Sequence, residues 1–209
     1  MIKAVVSDFG GVITTPLMEG FKRAHTELGI PVEALGKAMA LYAARSPEPP
    51  LWTLERGQLS ESDFLAGVSA ALEEVLGHPV DLDGYGRRLM AAMEPNTALI
   101  DHYRLLRDRR GVRLAVLTNN VREWQPLWRS AFAIDDLFEL VVDSGFEGTR
   151  KPEPRIYGLT LSRLGLDAPE CAFVDDVEVN VVAARELGMH AIHFRDTPQV
   201  IAELDALTS

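Results

Sequence analysis

Short apolar runs, each ending near a polar residue, constrain this chain more than any other feature. They occupy residues 2–6, 114–117, 140–142, 171–174 and 190–194, and Asp8, Thr118 and the pair Asp175-Asp176 lie at or just beyond the ends of three of them. Each run is too short for a helix, and most are apolar at successive rather than alternate positions, which is the pattern of a strand covered on both faces. Between the later runs the apolar spacing becomes helical: Leu99, Tyr103 and Leu106, then residues 124–132, 154–164 closed by Gly165, 177–187 ahead of Gly188, and 198–207. Strands alternating with helices imply a parallel sheet between two helical layers, a three-layer, Rossmann-like α/β core. Ligands of such sheets bind beyond the carboxyl ends of the strands, where Asp8, Thr118 and Asp175-Asp176 fall.

Residues 17–95 break the alternation. Leu17, Phe21, Ala24 and Leu28 share one helical face, closed by Gly29-Ile30-Pro31, and Val32, Leu35, Met39 and Tyr42 form a second stripe. After a Pro-rich loop at 46–50, Phe64, Leu65, Val68, Leu72 and Val75 form a third, and Tyr85, Leu89 and Met93 a fourth. Ser60 and Asp63 have the spacing of a capping box at the start of the third. The expected organisation is an α/β core of residues 1–16 and 96–209, with a four-helix insertion over 17–95 placed directly after the first strand.

Composition excludes more than it selects. Lys and Arg total 21 against 31 Asp and Glu in 209 residues, a formal charge of -10 that repels nucleic-acid phosphates and anionic membrane surfaces. Cys171 is the single cysteine, no run approaches membrane-spanning length, and the start of the chain has no basic leader. The expectation is a cytoplasmic protein, monomer or homodimer, whose partner is a small molecule rather than a nucleic acid or a membrane.

The strand ends offer a carboxylate at Asp8, the triplet Thr118-Asn119-Asn120, the adjacent Asp175-Asp176, and Lys151 in a loop before Pro152. These suit a phosphate held beside a hard cation. Magnesium takes one or two carboxylates together with water and phosphate oxygens. The Thr118 hydroxyl, loop amides and the Lys151 ammonium suit the remaining phosphate oxygens, and Asp8 can attack phosphorus. Each residue also has a plainer duty. Asp8 can open a turn before Gly10-Gly11, and Thr118-Asn119-Asn120 can cap a helix near Val121. Lys151 can be a solvated lysine, and one of Asp175-Asp176 can cap the helix that follows. His25, His78, His102, His190 and His193 show no ligand spacing. Trp52, Trp124 and Trp128 are expected to pack, with Trp52, near Glu55 and Arg56, the one placed to meet substrate.

Read together, Val5-Val6-Ser7-Asp8-Phe9-Gly10-Gly11-Val12-Ile13, Leu117-Thr118-Asn119, Lys151-Pro152 and Phe173-Val174-Asp175-Asp176 resemble, in order, the motifs of the haloacid dehalogenase superfamily. The resemblance implies a magnesium-dependent phosphatase of small phosphorylated metabolites that works through an aspartyl-phosphate. It makes Asp8 the nucleophile, and gives magnesium Asp8, the Gly10 carbonyl and Asp176 as ligands with Asp175 beside them. Thr118, Asn119 and Lys151 would bind phosphate, Lys151 also serving catalysis, and Asn180 would add a supporting contact. Residues 17–95 would be a helical cap, as in phosphoglycolate phosphatase-like enzymes and the phosphatase domain of epoxide hydrolase. One position departs from the pattern: Gly10 stands where the family's phosphatases usually carry the Asp that protonates the leaving group. Two further readings therefore stand beside the phosphatase. A dehalogenase needs no such acid, although dehalogenases of the superfamily carry Ser and Asn where this chain has Asp175-Asp176. The other reading is a phosphate-binding relative without catalysis.

Overall fold

Each apolar run forms a strand: β1 (Ala4–Ser7), β2 (Arg113–Thr118), β3 (Leu140–Asp143), β4 (Cys171–Asp175) and β5 (His190–His193). The structure, a computed structural model, describes residues 1–132 and 134–209. The side chains of Leu17, Met18, Glu19, Ala24, His25 and Glu27 are outside the described ones, and with them the expected roles of Leu17, Ala24 and His25. The strands form one parallel sheet in the order β3-β2-β1-β4-β5, so β1 is central and the chain turns back beside it to make β4. Ser7 lies in register with Val116 on one side and Val174 on the other, and Thr118 with Asp143.

Strand side chains alternate between two cores. Val5, Leu114, Val116 and Val174 enter one, and Ala4, Val6, Leu117 and Phe173 the other, each at most 1% exposed. Burying an aliphatic or aromatic side chain of this kind contributes about 1.5–3 kcal/mol. A strand with two buried faces can hardly carry a polar residue until its end, so the polar groups collect at the carboxyl edge.

Between β1 and β2 run α1 (Leu17–Leu28), α2 (Val32–Ala44), α3 (Pro50–Glu55), α4 (Glu61–Leu76), α5 (Tyr85–Ala91) and α6 (Thr97–Arg110). A short 3₁₀ turn at Arg122–Trp124 leads into α7 (Gln125–Ala131) and α8 (Ile134–Leu137), then β3. After β3 come α9 (Ser144–Glu147) and α10 (Pro154–Leu164), then α11 (Glu178–Glu186) after β4 and α12 (Thr197–Thr208) after β5. Leu99, Tyr103 and Leu106 of α6, with Val200 and Leu204 of α12, cover one face of the sheet. Ile156, Tyr157 and Leu164 of α10, with Ala184 of α11, cover the other.

The insertion differs from expectation in two ways. It holds five helices rather than four, because the Pro-rich segment ends in α3: Pro50 is its first residue, where a missing N–H costs nothing. The second difference is the face that α2 buries. Ala34 and Ala38 are its buried residues, and α2 packs on α4, where Gly67 has no side chain to obstruct the Tyr42 ring. The larger side chains Leu35, Met39 and Tyr42 are partly buried against the same core, and Val32, Leu35 and Met39 also line a cavity. The capping box at α4 is present in altered form. The Ser60 hydroxyl accepts from Asp63 N–H at 3.1 Å and donates to the Asp63 carboxylate at 2.7 Å.

The chain leaves and re-enters the sheet at one place. Thr14 and Pro95 form an isolated antiparallel bridge, and Asn96 ties the return to the core. Its amide donates to the Val12 carbonyl at 3.0 Å and to Thr197 at 2.9 Å, while its oxygen caps α6 through Leu99 N–H. Among the described residues, no helix is long and apolar enough to cross a membrane.

Candidate active site

The strand order reverses between β1 and β4, and their ends supply Asp8 and Asp175. Lys151, from the loop before α10, places its ammonium between them, 2.8 Å from Asp8 Oδ1 and 2.6 Å from Asp175 Oδ2. It is 1% exposed, so it is a buried cation and not a solvated lysine. The Phe173 ring lies below, its centroid 5.7 Å from the ammonium.

Asp8 also takes the Phe9 N–H on Oδ1 at 2.7 Å, so its turn-opening role and its place in the cluster coexist. Behind it the buried Tyr103 hydroxyl donates to Ser7 Oγ at 3.0 Å, and Ser7 Oγ donates to the Asp8 carbonyl at 2.8 Å. This relay fixes the backbone that carries Asp8. Sequence reading placed Tyr103 on a helix face and overlooked Ser7, because a contact spanning 96 residues has no local signal.

Asp175 has partners on both oxygens. Oδ1 accepts from Val177 N–H at 2.8 Å and from the Asn180 amide at 3.1 Å, and Oδ2 accepts from Lys151 and, at 3.2 Å, from Asn180. Asn180 is thus a supporting contact. Asp176 projects toward the first loop: Gly11 has φ 81°, and a Cβ there would collide with the Asp176 carboxylate, so only glycine fits both the conformation and the approach. His193, with no expected role, lies 3.1 Å from the Asp176 carbonyl through Nε2.

Oxygens of Asp8, Asp175 and Asp176 lie within 4.8 Å of one another. Burial pushes the Asp8 carboxyl up to about 8 against the pull of Lys151, with Asp175 and Asp176 adding to the rise. Burial, then Asp175, also raises Asp176. Burial opposes the Lys151 ammonium, but Asp175 and Asp8 outweigh it and its pKa rises. Fully ionised, three carboxylates against one ammonium would carry a formal charge of -2, an excess that contributes to the raised pKa values of Asp8 and Asp176. An all-oxygen donor set with that excess suits a hard divalent cation.

Around this centre the second strand end is braced. Thr118 is buried at the end of β2 and shares the lining of a cavity with Gly10. The Asn119 side chain clamps the Lys151 backbone, donating to its carbonyl at 2.9 Å and accepting from its N–H at 2.8 Å. The Asn119 side chain thus holds Lys151 with its oxygen and one of its two N–H donors. Thr118-Asn119-Asn120 do not cap a helix: Val121 holds the N-cap position of the 3₁₀ turn without a side-chain bond, and Asn120 N–H donates to Ser144 Oγ at 3.0 Å.

A cavity of about 390 Å³ opens from this floor into the insertion. Gly10, Thr118, Asn119 and Asn120 border it on the core side. Trp52 is not among its lining residues, contrary to expectation; it lies against Arg150, whose guanidinium carbon is 5.3 Å from the ring centroid. Trp124 does line it, and donates to Glu61 at 2.6 Å across the boundary between core and insertion. Glu55 lines it too, paired with Arg150 at 2.5 Å and raised in pKa by burial against that pairing. Arg56 bonds Glu153 of the core at 2.5 Å.

Comparison with known proteins agrees with this geometry. The chain is 26% identical to bifunctional epoxide hydrolase 2 of Rattus norvegicus over 99% of its own length and 39% of that protein, so it spans well under half of that relative. A stretch of 88 residues, 41% of this chain and 36% of the relative, is 36% identical to glyceraldehyde 3-phosphate phosphatase of Pyrococcus abyssi. A haloacid dehalogenase family enzyme of Bacteroides thetaiotaomicron, solved with magnesium and inorganic phosphate, shares the fold with a TM-score of 0.69 at 22% identity, over 96% of this chain and 99% of that one. The sequence profile of haloacid dehalogenase-like hydrolases matches residues 2–188, and the chain belongs to that family.

Proposed function

We propose that this hydrolase is a magnesium-dependent phosphatase of a small phosphorylated molecule, with Asp8 as nucleophile. The observation that carries the reading is the buried Lys151 ammonium shared by Asp8 and Asp175 beside a third carboxylate, Asp176, at the point where strand order reverses. Relatives named for phosphatase activity and a related fold solved with magnesium and phosphate support it.

Asp8, Asp176 and the Gly10 carbonyl would hold magnesium, with Asp175 orienting Lys151 through its fully used oxygens. The cation, when bound, offsets charge on the phosphoryl group. Both Asp8 bonds fall on Oδ1, so Oδ2 is the oxygen for attack on phosphorus. Asp8 Oδ2 would bond to phosphorus as the bond from phosphorus to the alcohol oxygen breaks, the leaving oxygen taking its proton from water because position 10 offers no acid. Water would then attack the phosphorus of the aspartyl-phosphate, releasing phosphate and restoring Asp8. Lys151 and Thr118 would bind phosphoryl oxygens, and the strand-end loop would supply backbone amides. Residues 17–95 would act as a cap that screens the site from water.

Phosphate release from p-nitrophenyl phosphate, with magnesium and with EDTA, tests the reading. Magnesium-dependent turnover is expected. Turnover unchanged by EDTA removes the metal from the proposal, and halide release from 2-haloacids in place of phosphate release replaces the phosphatase by the dehalogenase.

A further inference from the structure

We infer that the alcohol part of the substrate is apolar: this chain takes the phosphate monoester of an alkyl or similarly hydrophobic alcohol, its tail held in the cavity of the insertion. The inference rests on the phosphatase reading for the position of the phosphate and on the cavity walls for the tail.

The cavity reaches the proposed phosphate position at Gly10, Thr118 and Asn119, which form part of its lining and neighbour Asp8 and the end of β2 in the chain. Above them the walls come from every helix of the insertion and are mainly hydrocarbon and aromatic, with Phe21, Leu35, Met39, Leu51, Phe64 and Val68 among them. A volume of about 390 Å³ holds on the order of a dozen groups at roughly 30 Å³ each, more than a three-carbon phosphate would fill.

The polar atoms on these walls are largely committed. Asn119 uses both ends of its amide on Lys151, and the Asn120 side-chain oxygen accepts from Val121 N–H at 2.8 Å. Trp124 N–H donates to Glu61, and Glu55 is paired with Arg150. The hydroxyls of a polyol phosphate would lose water here and find few partners, an unfavourable exchange for each one left unpaired. A methylene entering the same space gains instead.

The experiment is a chain-length series on the unaltered protein with magnesium: ethyl, butyl, hexyl, octyl and decyl phosphate, each below its micelle concentration, and a hexitol phosphate as the polar match to hexyl. kcat/KM is expected to rise by up to about fourfold per added methylene until the cavity is full, and hexyl phosphate to exceed the hexitol phosphate. Met39→Trp, which fills part of the cavity, should flatten the rise from butyl to decyl. A flat series, or a hexitol phosphate turned over faster than hexyl phosphate, overturns the inference while leaving the phosphatase reading in place. If no ester is hydrolysed the phosphatase reading fails instead, and calorimetric titration with butylphosphonate and decylphosphonate decides the cavity separately. Tighter binding of the longer probe supports it, and equal or absent binding of both overturns it.

Discussion

The carboxyl edge of the sheet and the helical insertion meet at one cavity but are built on opposite principles. At the sheet edge, charge is concentrated and bonded: Lys151 is held between Asp8 and Asp175, and Asp175 is held by Val177 and Asn180. In the insertion, bulk is concentrated and polarity is spent at the border, where Arg56 meets Glu153, Arg150 meets Glu55 and Trp124 meets Glu61. On the proposed reading, one region would stabilise a charged reacting group and the other would select what is attached to it. Moving a buried ammonium by an ångström changes reactivity, whereas changing an apolar wall changes which tail fits.

That division can be broken by substitution, and the largest effect is expected at Asp8, the proposed nucleophile. Asp8→Asn should lower phosphate-ester turnover by on the order of 10⁴- to 10⁶-fold, as removal of an attacking group does elsewhere, with the far-ultraviolet circular dichroism unchanged. Turnover near that of the parent protein would move the chemistry away from Asp8.

Next is Lys151→Ala, which leaves Asp8 and Asp175 buried without their cation. A loss of about 3–5 kcal/mol in stability is expected from breaking a buried pair. A fall of roughly 10²- to 10³-fold in rate should accompany it. Magnesium should recover part of the stability but little of the rate. Denaturant titration with and without magnesium reads the first and initial rates the second. A variant as stable and as active as the parent would mean that the ammonium does neither job.

A smaller change is expected where the sheet edge has a vacancy that the sequence alone left structurally uncertain. Gly10 lies outside the positive-φ glycines, and a Cβ placed on it meets nothing within 4 Å. Gly10→Asp should therefore fold, unlike a side chain at Gly11, and should raise turnover of an alkyl phosphate by about tenfold or more, part of the 10²- to 10⁴-fold of a positioned acid. p-Nitrophenyl phosphate, whose leaving group departs without a proton, should gain little. Equal gains on both esters, or none on the alkyl ester in a folded variant with an unchanged magnesium titration, would show that the acid is not what is missing.

The smallest effect is expected at Trp52, which is 42% exposed and packs on Arg150 outside the cavity. Trp52→Ala should alter kcat/KM for hexyl phosphate by less than about twofold, since substitutions away from special features usually change energies by within about 0.5 kcal/mol. A tenfold loss confined to long esters would extend the tail site onto the outer face of α3 and blur the boundary between the two regions.

Much of this molecule was legible before any coordinate. The runs that became β1, β2 and β4 have two buried faces and end in polar residues, so strand, sheet type and the convergence of Asp8 with Asp175 and Asp176 followed from local pattern. Those signals span a few neighbouring residues, and a parallel sheet leaves little freedom in where strand ends go. What the tertiary structure decided was everything that depends on which surface meets which. Val32, Leu35, Met39 and Tyr42 have the spacing of a buried stripe, yet only Leu35, Met39 and Tyr42 pack partly against the core, while Ala34 and Ala38 are what α2 buries fully and Gly67 on α4 leaves room for the Tyr42 ring. The same spacing is compatible with a filled core or a cavity wall, since periodicity records that a face is apolar and not what lies opposite. Asn119 bracing Lys151, Tyr103 reaching Ser7 and Trp124 crossing to Glu61 join residues 32, 96 and 63 positions apart, and such contacts exist only once the helices have packed.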